Sequence, residues 1–400
     1  MSSHAFATAG YGEDQTLDHC PFMPVFGPPQ VMFVRGKGTE LWDVDGKRYL
    51  DFLSGIAVTS LGHAHPVVAD ALAHQAGELL HVSNFFANPV TTSAAIGIDS
   101  LLSEATGHRG QVFFTNSGAE AVECALKLAR KHGGRGRHVV VSAFGSFHGR
   151  TLAALAATGQ PTKHEPFQPM PEGFRHVAWG DLDALRGAVD ASVAAVLIEP
   201  LQGEGGVNPP PPGYLAGIRE LCDETGALMM VDEIQTGFAR TGRWFGFEHD
   251  GVAPDVVMLA KAMGNGVPVG ACWARREVAA VFEPGDHGST FSGTAIATAA
   301  VNAVIGEMRR IDAPALAATQ GAKLADAVAA LPNVSSVRGR GLLLAAELDG
   351  VEAPAAYRQL LDRGLVTNAV TPTALRLAPP ITVSDAEIDE AVGLLGEVLS

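Results

Sequence analysis

Cysteine is scarce in this sequence of 400 residues, which contains four, at positions Cys20, Cys124, Cys222 and Cys272. They are scattered and form no Cys-x-x-Cys pair, so the sequence shows no disulfide framework. A reducing compartment, the cytoplasm, is the default expectation for such a chain.

Basic residues and long apolar runs are also lacking. The 28 lysines and arginines are outnumbered by 43 acidic residues, and the net charge of −15 argues against nucleic acids and anionic membranes as main partners. No apolar run approaches the roughly 18 residues of a membrane helix. The N-terminal stretch MSSHAFATAGYGEDQT has no basic region and apolar core of the kind found in signal peptides. With 47% hydrophobic residues, the chain is expected to be globular and large enough for two lobes.

Short apolar segments alternate with helical patterns between about residues 66 and 280. The segments 119–131 and 213–224 predict helices, and strands are predicted at QVFFT, HVVVS, AAVLIEP, ALMMVD and DVVMLA. This alternation predicts an α/β fold with a mostly parallel sheet covered by helices on both faces. Ligands bind such sheets at the carboxyl ends of the strands.

The sequence patterns at the two ends of the chain differ from those in the middle. Residues 1 to about 35 look irregular, and LWDVDGKRYLDF predicts a hairpin around Asp45-Gly46. Beyond about residue 295, alanine-rich helices and the segments VSSVRGRGLLLAAEL and ALRLAPP predict a smaller α/β lobe. We therefore predict an arm and part of a small domain over 1–60, a large domain over 61–295 and a C-terminal small domain over 296–400.

Lys261 follows the predicted strand DVVMLA and precedes a loop with three glycines, in MLAKAMGNGVPVG. Glycines let the backbone turn sharply and approach a ligand closely. One interpretation is a solvated lysine, since most lysines are exposed. The other is a desolvated amine with a lowered pKa, able to form a Schiff base.

Two further strand ends carry polar groups. Ser117, Gly118 and Ala119 begin a helix after QVFFT, where free N–H groups and the helix dipole favour an anion, although an ordinary serine N-cap fits the same pattern. Asp232 ends ALMMVD and is either a cap or a carboxylate aimed into a site. If the extended run continues, Asp232 and Ile234 face the same side, which suits a flat heteroaromatic ring.

The stretch GSFHGRT adds Phe147, able to stack on a ring, and Arg150, able to hold a carboxylate. A turn with a core phenylalanine and a surface arginine is the alternative. His63 and His65 in GHAHP suggest a metal site only weakly, because no third-ligand pattern accompanies them, and no metal is expected. An anion cradle, a carboxylate, ring-stacking groups and a lysine are together the parts of a pyridoxal-phosphate site.

The chain resembles pyridoxal-phosphate aminotransferases of fold type I, class III, and within them the acetylornithine branch. The resemblance covers nearly the whole chain, through LWDVDGKRYLDFLSGIAVTSLGHAHP, SNFF, TNSGAEAVECALKLAR, SFHGRT, IEPLQGEGGV, DEIQTGFARTG, LAKAMGNGVPVGA, HGSTF and RLAPP. It implies that the large domain binds pyridoxal 5'-phosphate and that two subunits form a homodimer with the site at their interface.

The resemblance also implies the role of each site residue. Lys261 and Asp232 are catalytic: the lysine forms the Schiff base and moves the proton, and the aspartate pairs with the pyridine nitrogen. The other cofactor-binding residues are Ser117, Gly118 and Ala119 at the phosphate, Phe147 and Ile234 on the ring, Gln235 at the ring hydroxyl, and Thr290 at the phosphate of the partner subunit. The substrate-binding residues are Arg150, Ser289, Arg376 for the glutamate α-carboxylate, and Glu204, which masks Arg376 for the other substrate.

The expected reaction moves the terminal amine of N-acetyl-L-ornithine to 2-oxoglutarate, a step of arginine biosynthesis. Ile56 stands where ornithine-specific relatives have a tyrosine, which favours an acylated donor; N-succinyl-diaminopimelate, ornithine, 4-aminobutyrate and lysine are alternatives. Other rivals are an aminomutase or racemase, a nicotinamide-dependent dehydrogenase and a non-catalytic module. Two departures from the family pattern, Ala239 for glycine and Ser292–Ala295 for Gly-Gly-Asn-Pro, bear on the substrate more than on the chemistry.

Overall fold

A seven-stranded sheet forms the centre of the protein in the computed structural model, which describes residues 23–27 and 29–400. Cys20 and most of the predicted N-terminal arm lie outside the described residues. The strands of this sheet are β4 Gly110–Thr115, β5 Val139–Ala143, β6 Phe174–Val177, β7 Val193–Ile198, β8 Leu228–Asp232, β9 Val256–Leu259 and β10 Gly270–Arg275. The strands β1 to β3 and β11 to β15 belong to two smaller sheets.

The large sheet has the order β4-β10-β9-β8-β7-β5-β6. All neighbouring pairs are parallel except the two that β10 makes with β4 and β9. Its inner strands are apolar throughout, and every residue of β7, β8 and β9 is buried because helices cover both faces. The predicted mostly parallel sheet is confirmed, and β6 and β10 are two strands that the sequence patterns did not reveal.

Two smaller sheets use the chain ends. The first has the order β1-β2-β3-β13, and its strands are Phe33–Lys37, Glu40–Asp43, Arg48–Asp51 and Leu365–Val366. The second has the order β11-β12-β15-β14, and its strands are Val334–Arg340, Leu343–Leu348, Ala374–Leu377 and Asn368–Ala369. The predicted hairpin is β2 and β3, and β13 pairs with β3, so the N-terminal and C-terminal parts of the described chain share one sheet. The domain limits at residues 60 and 295 stay a prediction.

The helices pack on these sheets. Their bounds are Pro66–Glu78, Pro89–Thr106, Gly118–Gly133, Leu152–Ala157, Leu182–Ala188, Tyr214–Thr225, Arg276–Ala279, Ala295–Arg310, Ala313–Ala329, Ala353–Asp362 and Asp385–Leu399, with short 3-10 turns at Pro161–Lys163, Glu165–Phe167, Gly246–Asp250 and Lys261–Gly264. Within the described part of the chain, none of the helices has the length and apolar character needed to cross a membrane.

The helix Gly118–Gly133 shows why the sequence folds as it does beside the sheet. Ser117 caps its start by accepting a hydrogen bond from the Glu120 N–H, and the last turn carries Arg130 and Lys131, which suit the negative end of the helix dipole. Its buried alanines, leucines and Val122 lie on one face and pack on the sheet. This packing fixes the start of the helix at the carboxyl end of β4.

Candidate active site

A cavity of about 390 Å³ opens at the carboxyl ends of β4, β5, β7, β8 and β9. Strands that run the same way deliver their following residues to one edge of the sheet, and this edge holds most of the predicted site. The predicted residues that line the cavity are Ser117, Gly118, Ala119, Phe147, Arg150, Glu204, Asp232, Ile234, Gln235 and Lys261.

Lys261 follows β9 and projects into this cavity from a short 3-10 turn. Its φ of 48° lies in the left-handed region, which non-glycine residues rarely adopt and which is often found at functional sites. Burial lowers the pKa of its amine to about 8, and the Glu204 carboxylate opposes that shift while Arg376 adds to it. At pH 7 about a tenth of the amine is therefore neutral, far more than for an ordinary lysine, and the neutral amine is the form that attacks a carbonyl.

Asp232 ends β8 and is almost fully buried. Its Oδ2 lies 2.7 Å from His148 Nδ1, and its Oδ1 accepts a hydrogen bond of 3.1 Å from the Ile234 N–H. Because a carboxylate only accepts, His148 Nδ1 carries the proton. The strand ends at Asp232, so the extended run on which the sequence argument was conditional does not continue. Asp232 and Ile234 nevertheless both line the cavity, because the chain turns there, whereas Glu233 accepts from Gly246 and Phe247.

Glu199 is a cavity residue that the sequence analysis missed, at the end of β7 next to Asp232. Its carboxylate accepts hydrogen bonds from the N–H groups of Phe147, at 3.3 Å, and Gly203, at 3.2 Å. Burial raises its pKa to about 7, and His148 opposes that shift. The motif IEP contains a glutamate directly after a buried strand, which was the available signal.

The segment Ser117–Ala119 presents the start of its helix to the cavity. The first N–H groups of a helix have no partner within it, so they can bind an anion. A Cβ at Gly118 would stand 2.7 Å from Ile234 Cδ1, so only glycine lets the cradle and Ile234 approach this closely. The cradle therefore combines an anion site with an apolar wall.

Glu204 forms an ion pair with Arg376 at one end of the cavity. Arg376 is fully buried on β15, where its Nε donates to Asn368 at 3.0 Å and its Nη1 to Gln235 at 3.2 Å. No partner among the described residues reaches its Nη2. Burial alone would raise the pKa of Glu204, but the charge and hydrogen bond of Arg376, together with Lys261 and Gln235, hold that pKa below its ordinary value. An unfilled donor on a buried arginine is suited to a carboxylate.

Phe147 and Arg150 lie together on the cavity wall after β5. The guanidinium carbon of Arg150 is 5.5 Å from the centre of the Phe147 ring, within the range of a cation–π contact. The Arg150 side chain is exposed, so its charge is available to a ligand.

Ser289 and Thr290 do not line the cavity of this chain. Ser289 Oγ accepts a hydrogen bond of 3.0 Å from Asn116 Nδ2, and Thr290 is exposed. In the unusual segment that follows, Ser292 Oγ accepts from Asn84 Nδ2 at 3.0 Å, and Thr294 caps the helix Ala295–Arg310. Threonine is an ordinary N-cap residue, so the helix that follows this segment still begins with a side-chain cap.

Ala239 is explained by its backbone conformation, and His63 and His65 by their contacts with carboxylates of the protein. Ala239 has a φ of 69°, a conformation that suits the glycine usual in the family pattern. His63 Nε2 lies 2.7 Å from Asp51 Oδ2, whereas His65 Nε2 lies 3.6 Å from Glu307 Oε1. The two histidines therefore contact different carboxylates.

Comparisons with known proteins agree with this geometry. A family model described as Aminotransferase class-III matches residues 24–399. An acetylornithine aminotransferase of Corynebacterium efficiens is 45% identical over 395 residues, which cover 97% of both chains.

Solved structures are similar over the same length. The N-acetylornithine aminotransferase of Stenotrophomonas maltophilia is 35% identical with a TM-score of 0.81, covering 93% of this chain and 96% of that one. The ornithine aminotransferase of Toxoplasma gondii, with partial occupancy of PLP at its active site, is 34% identical with a TM-score of 0.89, covering 96% and 92%. The predicted family is confirmed, and this chain belongs to the class III aminotransferases.

Proposed function

We propose that this aminotransferase uses pyridoxal 5'-phosphate to move the terminal amine of N-acetyl-L-ornithine to 2-oxoglutarate, giving N-acetyl-glutamate 5-semialdehyde and glutamate, a step of arginine biosynthesis. The observation that carries the proposal is one cavity lined by Lys261, Asp232 and the carboxylate of Glu204, which pairs with Arg376. The names of the relatives at 45% and 35% identity support the donor.

The residues of the cavity fit this cofactor. The helix start at Ser117–Ala119 suits its phosphate, Asp232 suits a protonated ring nitrogen, and Lys261 lines the same cavity. Phe147 and Ile234 supply apolar surface for the ring, and Gln235 supplies a polar group for its hydroxyl. When bound, the cofactor supplies an aldehyde that accepts the amine and a ring that withdraws electrons from the reacting carbon.

The protein groups then bind, orient and move protons. Lys261 would hold the cofactor, and its Nζ, once free, would carry a proton to and from the reacting carbon. Its pKa of about 8 suits both giving and taking a proton near neutral pH. Asp232 keeps its negative charge in a fixed orientation because His148 and a backbone N–H hold both oxygens.

Two arginines distinguish the two substrates. We assign the carboxylate remote from the reacting amine to Arg150, and the α-carboxylate of glutamate to Arg376. While the donor is bound, Glu204 covers Arg376 and removes a competing cation. Val58 lines the cavity, and Ile56 lies two residues before it in the left-handed turn Ser54–Ala57. Neither side chain can hydrogen-bond a free α-amine, which favours an acylated donor.

A homodimer completes the proposal. Exposed aromatic side chains form a patch on this chain, because Phe85, Phe86 and Phe291 are 92%, 70% and 62% exposed and hydrogen bonds from Asn84 to Ser289 and Ser292 join their two segments. Large exposed apolar patches mark interaction sites. Thr290 and Ser289 lie beside this patch, where they are available to a partner's site.

We also expect a cytoplasmic location, since Cys124, Cys222 and Cys272 are free thiols.

A single half-reaction tests the donor. Purified protein loaded with pyridoxal 5'-phosphate is mixed with N-acetyl-L-ornithine and no keto acid, and the absorption of the bound cofactor is followed. N-succinyl-diaminopimelate, ornithine, 4-aminobutyrate and lysine are run in parallel.

Conversion to the amine form of the cofactor at low N-acetyl-L-ornithine, with weak responses to the others, is the expected result. A stronger response to another amine would keep the aminotransferase and replace the donor. Sedimentation of the same sample gives the mass and tests the homodimer.

A further inference from the structure

The loop that carries Glu204 is fixed at its two ends. Leu201 and Val207 are buried in a small apolar cluster with Leu343, Ala345, Ala374 and Ala378 of the β11-β12-β15-β14 sheet and its continuation. Gln202 follows Leu201, and the next four residues, Gly203, Glu204, Gly205 and Gly206, are called the glycine loop. A loop with anchored ends and three glycines can change the direction of one side chain without moving its surroundings.

Two arginines of one sheet row face this loop. Arg338 of β11 is directly opposite Ala345 of β12, and Ala345 is directly opposite Arg376 of β15. Directly opposite residues of antiparallel strands lie on the same face of the sheet. Arg338 and Arg376 therefore share a face and are two strands apart, roughly 10 Å at the backbone. Alanine between them leaves room for both long side chains.

The two arginines contact different parts of the glycine loop. Arg376 binds the Glu204 side chain. Arg338 Nε donates a hydrogen bond of 2.8 Å to the backbone carbonyl of Gly206, and its Nη1 pairs with Glu347 Oε2 at 2.6 Å. A substrate carboxylate can replace Glu204 on Arg376, whereas the Gly206 carbonyl stays with the backbone.

The contact at Gly206 is close. The φ of Gly206 is 125°, and a Cβ there would stand 3.1 Å from Thr371 Cγ2 and 3.4 Å from Arg338 Nη2. The backbone therefore lies directly against the sheet face at this point. Asn208 Nδ2 adds a hydrogen bond of 2.9 Å to the Gly205 carbonyl.

We propose that Arg338 is a positioning residue for substrate alternation, which holds the backbone of the glycine loop so that Glu204 returns to Arg376 after each departure of glutamate. This inference rests on the proposed use of Glu204 and Arg376 by two substrates. Arg338 does not line the cavity and acts through Glu204.

The test compares Arg338→Met with Arg340→Met. Arg340 lies on the same strand, its side chain is equally exposed at 26%, and it pairs at 2.9 Å with Asp250, away from the glycine loop. Two quantities are measured on protein loaded with cofactor. One is kcat/KM of the N-acetyl-L-ornithine half-reaction, and the other is the calorimetric Kd of glutarate, an unreactive dicarboxylate that competes with Glu204 for Arg376.

Without its anchor, Glu204 covers Arg376 less often. We therefore expect Arg338→Met to lower kcat/KM for the donor about tenfold and to tighten glutarate binding about threefold, changes of the size of one hydrogen bond. Arg340→Met leaves both values within about twofold of the wild type. Arg338→Lys, which keeps a donor for the Gly206 carbonyl, recovers most of the donor half-reaction.

A weaker donor half-reaction together with tighter glutarate binding is the signature of the proposal, because a damaged fold weakens both the half-reaction and the binding. The proposal would be overturned if Arg338→Met weakened both the donor half-reaction and glutarate binding, or if it changed neither. Absence of any wild-type half-reaction with N-acetyl-L-ornithine would instead reject the proposed donor, and the glutarate measurement would still decide the role of Arg338.

Discussion

Asp232 and Glu204 are two carboxylates of the same cavity that are held in opposite ways. Asp232 is almost fully buried at the end of a central strand, and His148 and a backbone N–H occupy its two oxygens. Glu204 lies on a glycine loop, is partly exposed, and pairs with a buried arginine. The first arrangement keeps one charge in one place, and the second allows the partner to be exchanged.

This difference matches what the two half-reactions require. The charge beside the cofactor ring must be the same for donor and acceptor, and a carboxylate on a strand held from both sides cannot leave. The carboxylate beside the substrates must yield to another carboxylate, and the partly exposed side chain of Glu204 on the glycine loop can. Each role follows from the backbone that carries the group more than from the group itself.

The largest effect is expected at the fixed carboxylate. Asp232→Asn removes the charge and keeps the shape, so we expect kcat to fall about a thousandfold, or about 4 kcal/mol of transition-state stabilisation. The thermal unfolding midpoint of the cofactor-free protein should change little. Near-normal turnover in this variant would refute the assigned role.

A smaller and selective effect is expected at the exchangeable carboxylate. Glu204→Ala exposes Arg376 permanently, so kcat/KM for glutamate should rise relative to kcat/KM for N-acetyl-L-ornithine by about tenfold or more. Parallel half-reactions with the two amines measure this ratio. Glu224→Ala, which removes an exposed ion-pair partner of Arg186, is the control and should leave the ratio unchanged.

The lysine between the two carboxylates gives a pH test. Only the neutral amine attacks an aldehyde, so the rate at which cofactor-free protein takes up pyridoxal 5'-phosphate should rise with pH and reach half its maximum near 8, not near the ordinary 10.5. Stopped-flow absorption between pH 6 and 10 measures it. Because Glu204 raises the pKa of Lys261, Glu204→Ala should move the midpoint lower still. A midpoint that moves upward would contradict the electrostatic assignment.

Much of the fold could be predicted from the sequence because its signals are local. Uniformly apolar segments such as LMMVD indicate buried strands, and polar residues directly after them indicate the edge where ligands bind. The strand β6 was missed because its four residues FRHV include Arg175 and His176, and these polar residues are not typical of a buried strand. The strand β10 was missed because it follows the glycine-rich loop, and its antiparallel pairing is not encoded in its own residues.

The site shows the same limit. Lys261 and Asp232 could be found because each follows an apolar strand. Nothing in the local sequence shows that Glu199 accepts hydrogen bonds from two separate loops, or that Arg338 and Arg376 occupy one row of a sheet. Those facts depend on strand register and loop packing, which arise only when distant segments meet.

The smallest effect is expected at the phosphate cradle, where a matched pair of helix caps separates folding from binding. Ser117 Oγ accepts from the Glu120 N–H at 3.3 Å, and Ser384 Oγ accepts from the Glu387 N–H at 3.3 Å at the start of the last helix. Both Ser117→Ala and Ser384→Ala should lower the stability of the cofactor-free protein by about 1 kcal/mol in urea unfolding, the usual cost of a lost cap. Only Ser117→Ala should also weaken cofactor binding, about tenfold, because only this cap lines the cavity. Equal cofactor affinity in the two variants would mean that the hydroxyl of Ser117 serves the helix alone and that the backbone N–H groups hold the phosphate without it.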